Sequence, residues 1–113
     1  MRYVLFGIAS VACLAGCAPP QPTTPAQAAA RSAAAFEYTA RYCAGRAGGF
    51  SDLIAIRRQA EARYAMARKL GATEALIQRE KNTVQSTVGS AEMWVGKEDT
   101  CSTLITEAAM NAT

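Results

Sequence analysis

The chain has 113 residues, a net charge of +3 from 12 Lys and Arg against 9 Asp and Glu, and no histidine. This length suits one small domain, and the near-balanced charge without a basic block argues against nucleic acid as a partner. The lack of histidine excludes catalytic sites of the Ser-His-Asp and Cys-His types as well as His-rich metal centres.

An apolar run opens the chain and ends at a cysteine. Arg2 stands before a run from Tyr3 to Ala15, and the run closes with Leu14-Ala15-Gly16-Cys17. A single positive residue followed by a short apolar stretch and a small-residue cleavage position is the layout of a secretory signal. The run is shorter than the roughly 20 residues that a transmembrane helix needs. The sequence therefore predicts an exported protein without a permanent span here.

The same tetrapeptide at 14–17 resembles the lipobox of bacterial lipoproteins. This resemblance implies that residues 1–16 are removed as a signal peptide and that Cys17 carries a diacylglyceryl thioether, usually with an N-linked acyl chain such as palmitate. Ala18, rather than Asp, follows the cysteine, which in this family implies the outer membrane, facing the periplasm. The alternative is an ordinary signal peptide cleaved nearby, which would release a soluble periplasmic protein.

Residues 17–26 contain the lipidated cysteine and a proline-rich tether. All four prolines of the chain lie in this segment. Proline favours the extended polyproline II conformation, which makes a semi-rigid spacer. We therefore expect the tether to hold the remaining domain, residues 27–113, away from the membrane surface.

Helical periodicity begins at about residue 27. Apolar residues at spacings of three and four predict a first helix up to the glycines at 45, 48 and 49, a second helix up to Gly71 and a third between Thr73 and Gly96. A short fourth helix is predicted after a cap at Asp99 or Thr100. In the third helix, Glu80 interrupts the apolar stripe and Trp94 is predicted to lie in the core. The expected fold is all-α, a small up-down bundle of three to four helices.

Two cysteines, Cys43 and Cys101, remain in the domain besides Cys17. Export places them in an oxidising compartment, where such a pair normally forms a disulfide. In an up-down-up-down bundle the end of the first helix and the start of the fourth lie on the same side, which agrees with this pairing. Much of the hydrophobic content is alanine, and a core with few large side chains needs such a bond. A metal site or a catalytic thiol is the alternative, but the chain has neither histidine nor a CxxC motif.

The sequence contains no recognisable catalytic motif, since neither GxSxG nor HExxH occurs. We therefore expect no enzymatic activity, no cofactor, no metal and no small-molecule substrate. The expected partners are the membrane, through the lipid anchor, and another protein of the cell envelope. This describes a structural or protein-binding module. The alternative is a periplasmic chaperone or inhibitor protein, by analogy in size and build with small helical single-disulfide chaperones of that compartment.

Tyr38, Tyr42 and Arg46 form a candidate partner surface on the first helix. At about 100° per residue, both tyrosines point away from the stripe that contains Phe36, and Arg46 continues their face by one turn. Tyrosine and arginine are enriched at binding hot spots. In the alternative interpretation, the first helix is covered on two sides and the tyrosines fill a core that lacks large residues.

Overall fold

Four α-helices and their connecting turns make up residues 20–45 and 50–111, which are the residues that the computed structural model describes. The helices are α1 (Pro25–Tyr42), α2 (Phe50–Lys69), α3 (Glu74–Val95) and α4 (Lys97–Asn111). No strand occurs within these residues. The all-α fold that the periodicity predicts is therefore confirmed. Among the described helices, none combines the length and the apolar character needed to cross a membrane.

α1 begins two residues earlier than the predicted domain boundary at residue 27, because Thr24 and Pro25 together form a start signal. The Thr24 hydroxyl accepts a hydrogen bond from the Gln27 amide nitrogen at 3.1 Å, and Pro25 follows at the first helical position. Proline suits this position because the N–H that it lacks would have no partner there. Pro25 and Ala26, which the sequence assigns to the tether, therefore belong to α1.

Polar caps and glycines set the ends of the other helices. Thr73 caps α3 as predicted, and its hydroxyl accepts a hydrogen bond from the Leu76 amide nitrogen at 3.1 Å. Gly71 and Gly96 follow α2 and α3 with φ angles of 100° and 83°, which glycine adopts without steric strain. α4 begins at Lys97, directly after Gly96 and before the predicted caps.

α1 lies at the centre of the bundle, and the other three helices pack around it. Along α1 and α3, contacts advance in the same direction, from Ala30 with Ile77 to Ala34 with Val84. These two helices are therefore parallel. Against α2 the order reverses, because Ala30 meets Ala67. Later in α1, Phe36 meets Ala60, so α1 and α2 are antiparallel.

A disulfide joins Cys43, directly after α1, to Cys101 in the first turns of α4. Their Cα atoms are 5.5 Å apart, and both residues are buried. From this bond α4 runs back along α1, since Ala108 reaches Phe36. The predicted pairing and the up-down-up-down order are both confirmed.

Small side chains fill most of the core. Fully or nearly buried alanines occur on α1, α2 and α4, and they are Ala26, Ala30, Ala33, Ala34, Ala40, Ala60, Ala67 and Ala108. Phe36 is the aromatic residue of the buried set, and Ile77, Val84 and Val88 are its larger aliphatic members. Glu80 of α3 is also buried, with only 1% of its surface exposed. Because such a core offers little apolar area, the disulfide and the buried polar contacts carry much of its specificity.

The last turn of α3 extends past the end of α1. Glu80 and Arg31 lie at the same level, and from there α3 continues four residues further than α1, about 6 Å at 1.5 Å per residue. Met93, Trp94 and Val95 on this turn are 87%, 88% and 56% exposed. The prediction that Trp94 belongs to the core is therefore wrong, because α1 ends before it could cover this turn. We call these three residues the α3 tip.

Candidate functional site

Glu37, on α1, connects three helices through its carboxylate. The Tyr64 hydroxyl of α2 donates a hydrogen bond to Oε2. The Lys81 ammonium of α3 lies 3.5 Å from the same oxygen, and the Arg41 guanidinium, one turn along α1, lies 3.5 Å from Oε1. Lys81 also lies 5.0 Å from the centre of the Tyr64 ring. These contacts fix the side chains at the junction of α1, α2 and α3.

The protonation states of Glu37 and Tyr64 follow from this arrangement. Partial burial would raise the pKa of Glu37, but the Tyr64 hydrogen bond and the positive charges of Lys81 and Arg41 outweigh it and hold that pKa below its ordinary value. Burial and the neighbouring Glu37 carboxylate raise the pKa of Tyr64 far above its ordinary value. Glu37 is therefore an anion and Tyr64 a hydrogen-bond donor at neutral pH.

A cleft of about 530 Å³ opens between α1 and α2 next to this junction. Six residues line it: Glu37, Arg41, Arg57, Ala60, Glu61 and Tyr64. Ala60 and the Tyr64 ring supply apolar surface, and charges of both signs surround it. Apolar surface within a polar rim is the usual anatomy of a protein-binding patch. We call this region the α1–α2 cleft.

Contacts of one α2 side chain with α1 help to keep the two helices in place. Arg63 of α2 donates to the Ser32 hydroxyl at 2.7 Å, and its guanidinium lies 4.5 Å from the centre of the Phe36 ring. Because the walls are helices with fixed contacts, the cleft is part of the folded bundle.

The structure places the predicted partner residues Tyr38 and Tyr42 against the core. Their rings stack with centroids 5.2 Å apart, and both pack on the cluster of Ala34, Val84 and Val88. The Lys97 ammonium of α4 lies 4.9 Å from the centre of the Tyr42 ring. The tyrosines thus fill space between α1, α3 and α4, which is the alternative interpretation. Arg46, the third residue of the predicted partner surface, and Cys17, the predicted lipidation site, lie outside the described residues.

Sequence reasoning did not find the α1–α2 cleft. The sequence shows the i, i+4 spacing of Glu37 and Arg41 on one helix, but the contributions of Tyr64 and Lys81 depend on how three helices meet. The sequence does carry one signal of a buried ion pair, but it concerns Glu80 rather than Glu37. Glu80 interrupts an apolar stripe, and a buried carboxylate requires a partner. Within residues 20–45 and 50–111, no group of three or more cysteine and carboxylate side chains is arranged to hold a metal ion.

Comparison of this chain with protein-family models, with curated proteins and with solved structures found no match.

Proposed function

We propose that this protein is a small lipoprotein of the bacterial cell envelope, anchored through lipid on Cys17, whose helical domain binds another envelope protein and performs no catalysis. The observation that carries the proposal is the Cys43–Cys101 disulfide in a domain that follows the lipobox-like tetrapeptide at 14–17. A structural disulfide persists in oxidising compartments, which a secretory signal gives access to. The predicted outer-membrane location, facing the periplasm, belongs to the same proposal.

The α1–α2 cleft is the surface that we assign to the partner. Its rim carries two positive residues, Arg41 and Arg57, and two negative residues, Glu37 and Glu61. A partner segment that presents charges of both signs around an apolar side chain would complement this rim. Charge complementarity of this kind mainly sets the specificity and the rate of association, while the apolar floor contributes desolvation.

Two adjacent arginines offer a matched test of this surface. Arg57 lines the cleft, whereas Arg58 is the next residue on α2, rotated by about 100°, and does not line it. Both are exposed, so Arg57→Glu and Arg58→Glu make the same charge change with little effect on folding. The mature protein would be purified from detergent-solubilised membranes after cross-linking, and co-purifying proteins would be identified by mass spectrometry.

The proposal expects one dominant co-purifying envelope protein, which Arg57→Glu depletes and Arg58→Glu retains. Equal retention by both variants would refute the assignment of the cleft. Many co-purifying proteins, enriched after acid or heat treatment and unaffected by either variant, would instead favour the chaperone alternative. That outcome is distinguishable because a chaperone holds varied clients, while a structural partner is constant.

A further inference from the structure

The described end of the tether folds back onto α1. Arg31, in the second turn of α1, donates through Nη1 to the Pro20 carbonyl and through Nε to Glu80 Oε2 at 2.7 Å. Glu80 is buried and also accepts a hydrogen bond from the side-chain amide of Gln27, with Nε2 and Oε1 2.9 Å apart. Arg31 is therefore held by a fixed carboxylate, and it attaches Pro20 to the side of the bundle where α1 meets α3.

This attachment reduces the maximum distance between the membrane and the domain. Cys17 is three residues before Pro20, and three residues span at most about 11 Å when fully extended. Without the attachment, the eight residues from Cys17 to Pro25 could span about 29 Å. With Pro20 attached at Arg31, a lipid on Cys17 keeps the flank of the bundle, rather than the start of α1, close to the lipid headgroups.

Trp94 of the α3 tip lies on the same flank as this attachment. Trp94 follows Glu80 by 14 residues on α3, which corresponds to about 21 Å along the helix axis and a rotation of only about 40°. Because Glu80 faces Arg31, Trp94 also lies toward the side from which the tether leaves. One surface of the bundle thus carries the tether at one end and Trp94 at the other, and the exposed side chains of Met93 and Val95 point about 100° to either side of Trp94.

The composition and size of the α3 tip favour lipid over protein as its occupant. Tryptophan is enriched at membrane–water interfaces, where its ring enters the apolar region and its N–H stays near water. A stable protein interface buries about 800 Å² on each partner. Three side chains cannot supply this, since even an aromatic one buries about 150–250 Å².

We propose that the α3 tip inserts into the headgroup region of the bilayer that holds the Cys17 lipid, so that the bundle lies along the membrane on two contacts. This inference rests on the proposed lipid anchor. It also orients the α1–α2 cleft, because Glu37 is six residues after Arg31 on α1 and points about 120° away from it. A bundle that rests on the tether side leaves the cleft open to a partner in the periplasm.

Trp94 is the only tryptophan in the chain, so it reports on its own surroundings. The mature lipidated protein would be reconstituted into vesicles of phosphatidylethanolamine and phosphatidylglycerol, and flotation would establish whether it is bound. The proposal expects tryptophan emission at shorter wavelength than in the same protein lacking the lipid, and loss of most of the emission when the vesicles contain brominated acyl chains.

Two variants connect this signal to the proposed geometry. Met93→Asp places a charge on the α3 tip and should restore most of the emission, whereas Met66→Asp, on the exposed surface of α2, should not. A long Gly-Ser segment inserted between Ala18 and Pro19 leaves all described residues unchanged. It should also reduce the quenching, because the domain is then no longer held at the bilayer.

The possible failures can be told apart. Protein that floats with the vesicles but shows unquenched emission, as in solution, would overturn the membrane contact and leave the anchor intact. Emission at shorter wavelength without quenching, increasing with protein density, would show that a second copy or another protein surface covers the α3 tip, and it would also overturn the inference. Protein that does not float would overturn the anchor and the inference together.

Discussion

The Arg31 guanidinium of α1 and the Glu80 carboxylate of α3 form an ion pair inside the bundle, with Nε and Oε2 2.7 Å apart. Burial would raise the pKa of Glu80, but hydrogen bonds from Arg31 and Gln27 and the charge of Arg31 hold it below its ordinary value. The pair connects parallel helices that are 49 residues apart in sequence, so it fixes their relative register.

Glu80→Gln should destabilise the fold. The change keeps the shape of the side chain but leaves the mostly buried Arg31 without a counter-charge, at a cost of about 1–3 kcal/mol in the free energy of unfolding. Glu74→Gln is the matched control, because Glu74 pairs with Arg68 at 2.9 Å on the exposed surface and should contribute little. Urea unfolding measures both, and equal losses would contradict the role assigned to Glu80.

Acid should weaken the fold through Glu37 and Glu80. Both have pKa values below the ordinary 4.5 in the folded state. Carboxylates of this kind stabilise the fold above their unfolded pKa, and the contribution is lost as the pH falls through the folded pKa. The midpoint temperature of thermal unfolding should therefore decrease once the pH falls below about 4.5. A Glu37→Gln and Glu80→Gln double variant should lose less on acidification, and an equal loss would argue against these two groups.

Reduction of the Cys43–Cys101 disulfide should lower the thermal midpoint strongly. The bond closes a loop of 58 residues in sequence separation, which the chain-entropy model relates to about 4 kcal/mol. At about 4–8 °C per kcal/mol for a domain of this size, the midpoint should fall by roughly 15 °C or more. A Cys43→Ala and Cys101→Ala double variant should have the thermal midpoint of the reduced protein, and reductant should not change it. An unchanged midpoint after complete reduction would contradict the prediction.

Tyr38→Ala should be destabilising, whereas Trp94→Ala should not be. Tyr38 packs on Ala34, Val84 and Val88, so its removal leaves a gap and should cost about 1–3 kcal/mol. The Trp94 side chain is 88% exposed, and an exposed substitution usually changes stability by less than about 0.5 kcal/mol. Thermal unfolding of the domain without its lipid compares the two. The reverse order would mean that Trp94, not Tyr38, belongs to the core.

The helix count, the topology and the disulfide could be predicted because they depend on local patterns. Spacings of three and four define the helices, and Thr73, Gly71 and Gly96 mark boundaries through their own backbone chemistry. Given four short-linked helices, antiparallel neighbours bring Cys43 and Cys101 to the same side of the bundle. None of these features depends on which side chains of different helices are in contact.

The environment of individual aromatic residues could not be predicted in this way. Trp94 continues an apolar segment of α3, but its exposure depends on where α1 ends. Tyr38 and Tyr42 do point away from Phe36, yet α1 is covered by three helices, so that direction also leads into the core. A helical pattern gives the direction of a side chain, while burial depends on what another helix places there.

The partner of Glu80 was likewise hidden from the sequence. An acidic residue within the stripe of Ile77, Val84 and Val88 indicates a buried carboxylate that must be paired. Several arginines of the chain could have supplied the charge, and the choice of Arg31 depends on the parallel register of α1 and α3. The same register brings the tether to the flank of the bundle through Pro20.

The compartment, the orientation of the bundle and the access to the cleft all depend on the lipid on Cys17. Mass spectrometry of the mature N-terminus, on protein extracted from membranes with detergent, tests for this lipid directly. We expect a chain that begins at Cys17 and carries a diacylglyceryl thioether. A chain that begins elsewhere, or an unmodified Cys17, would contradict this expectation.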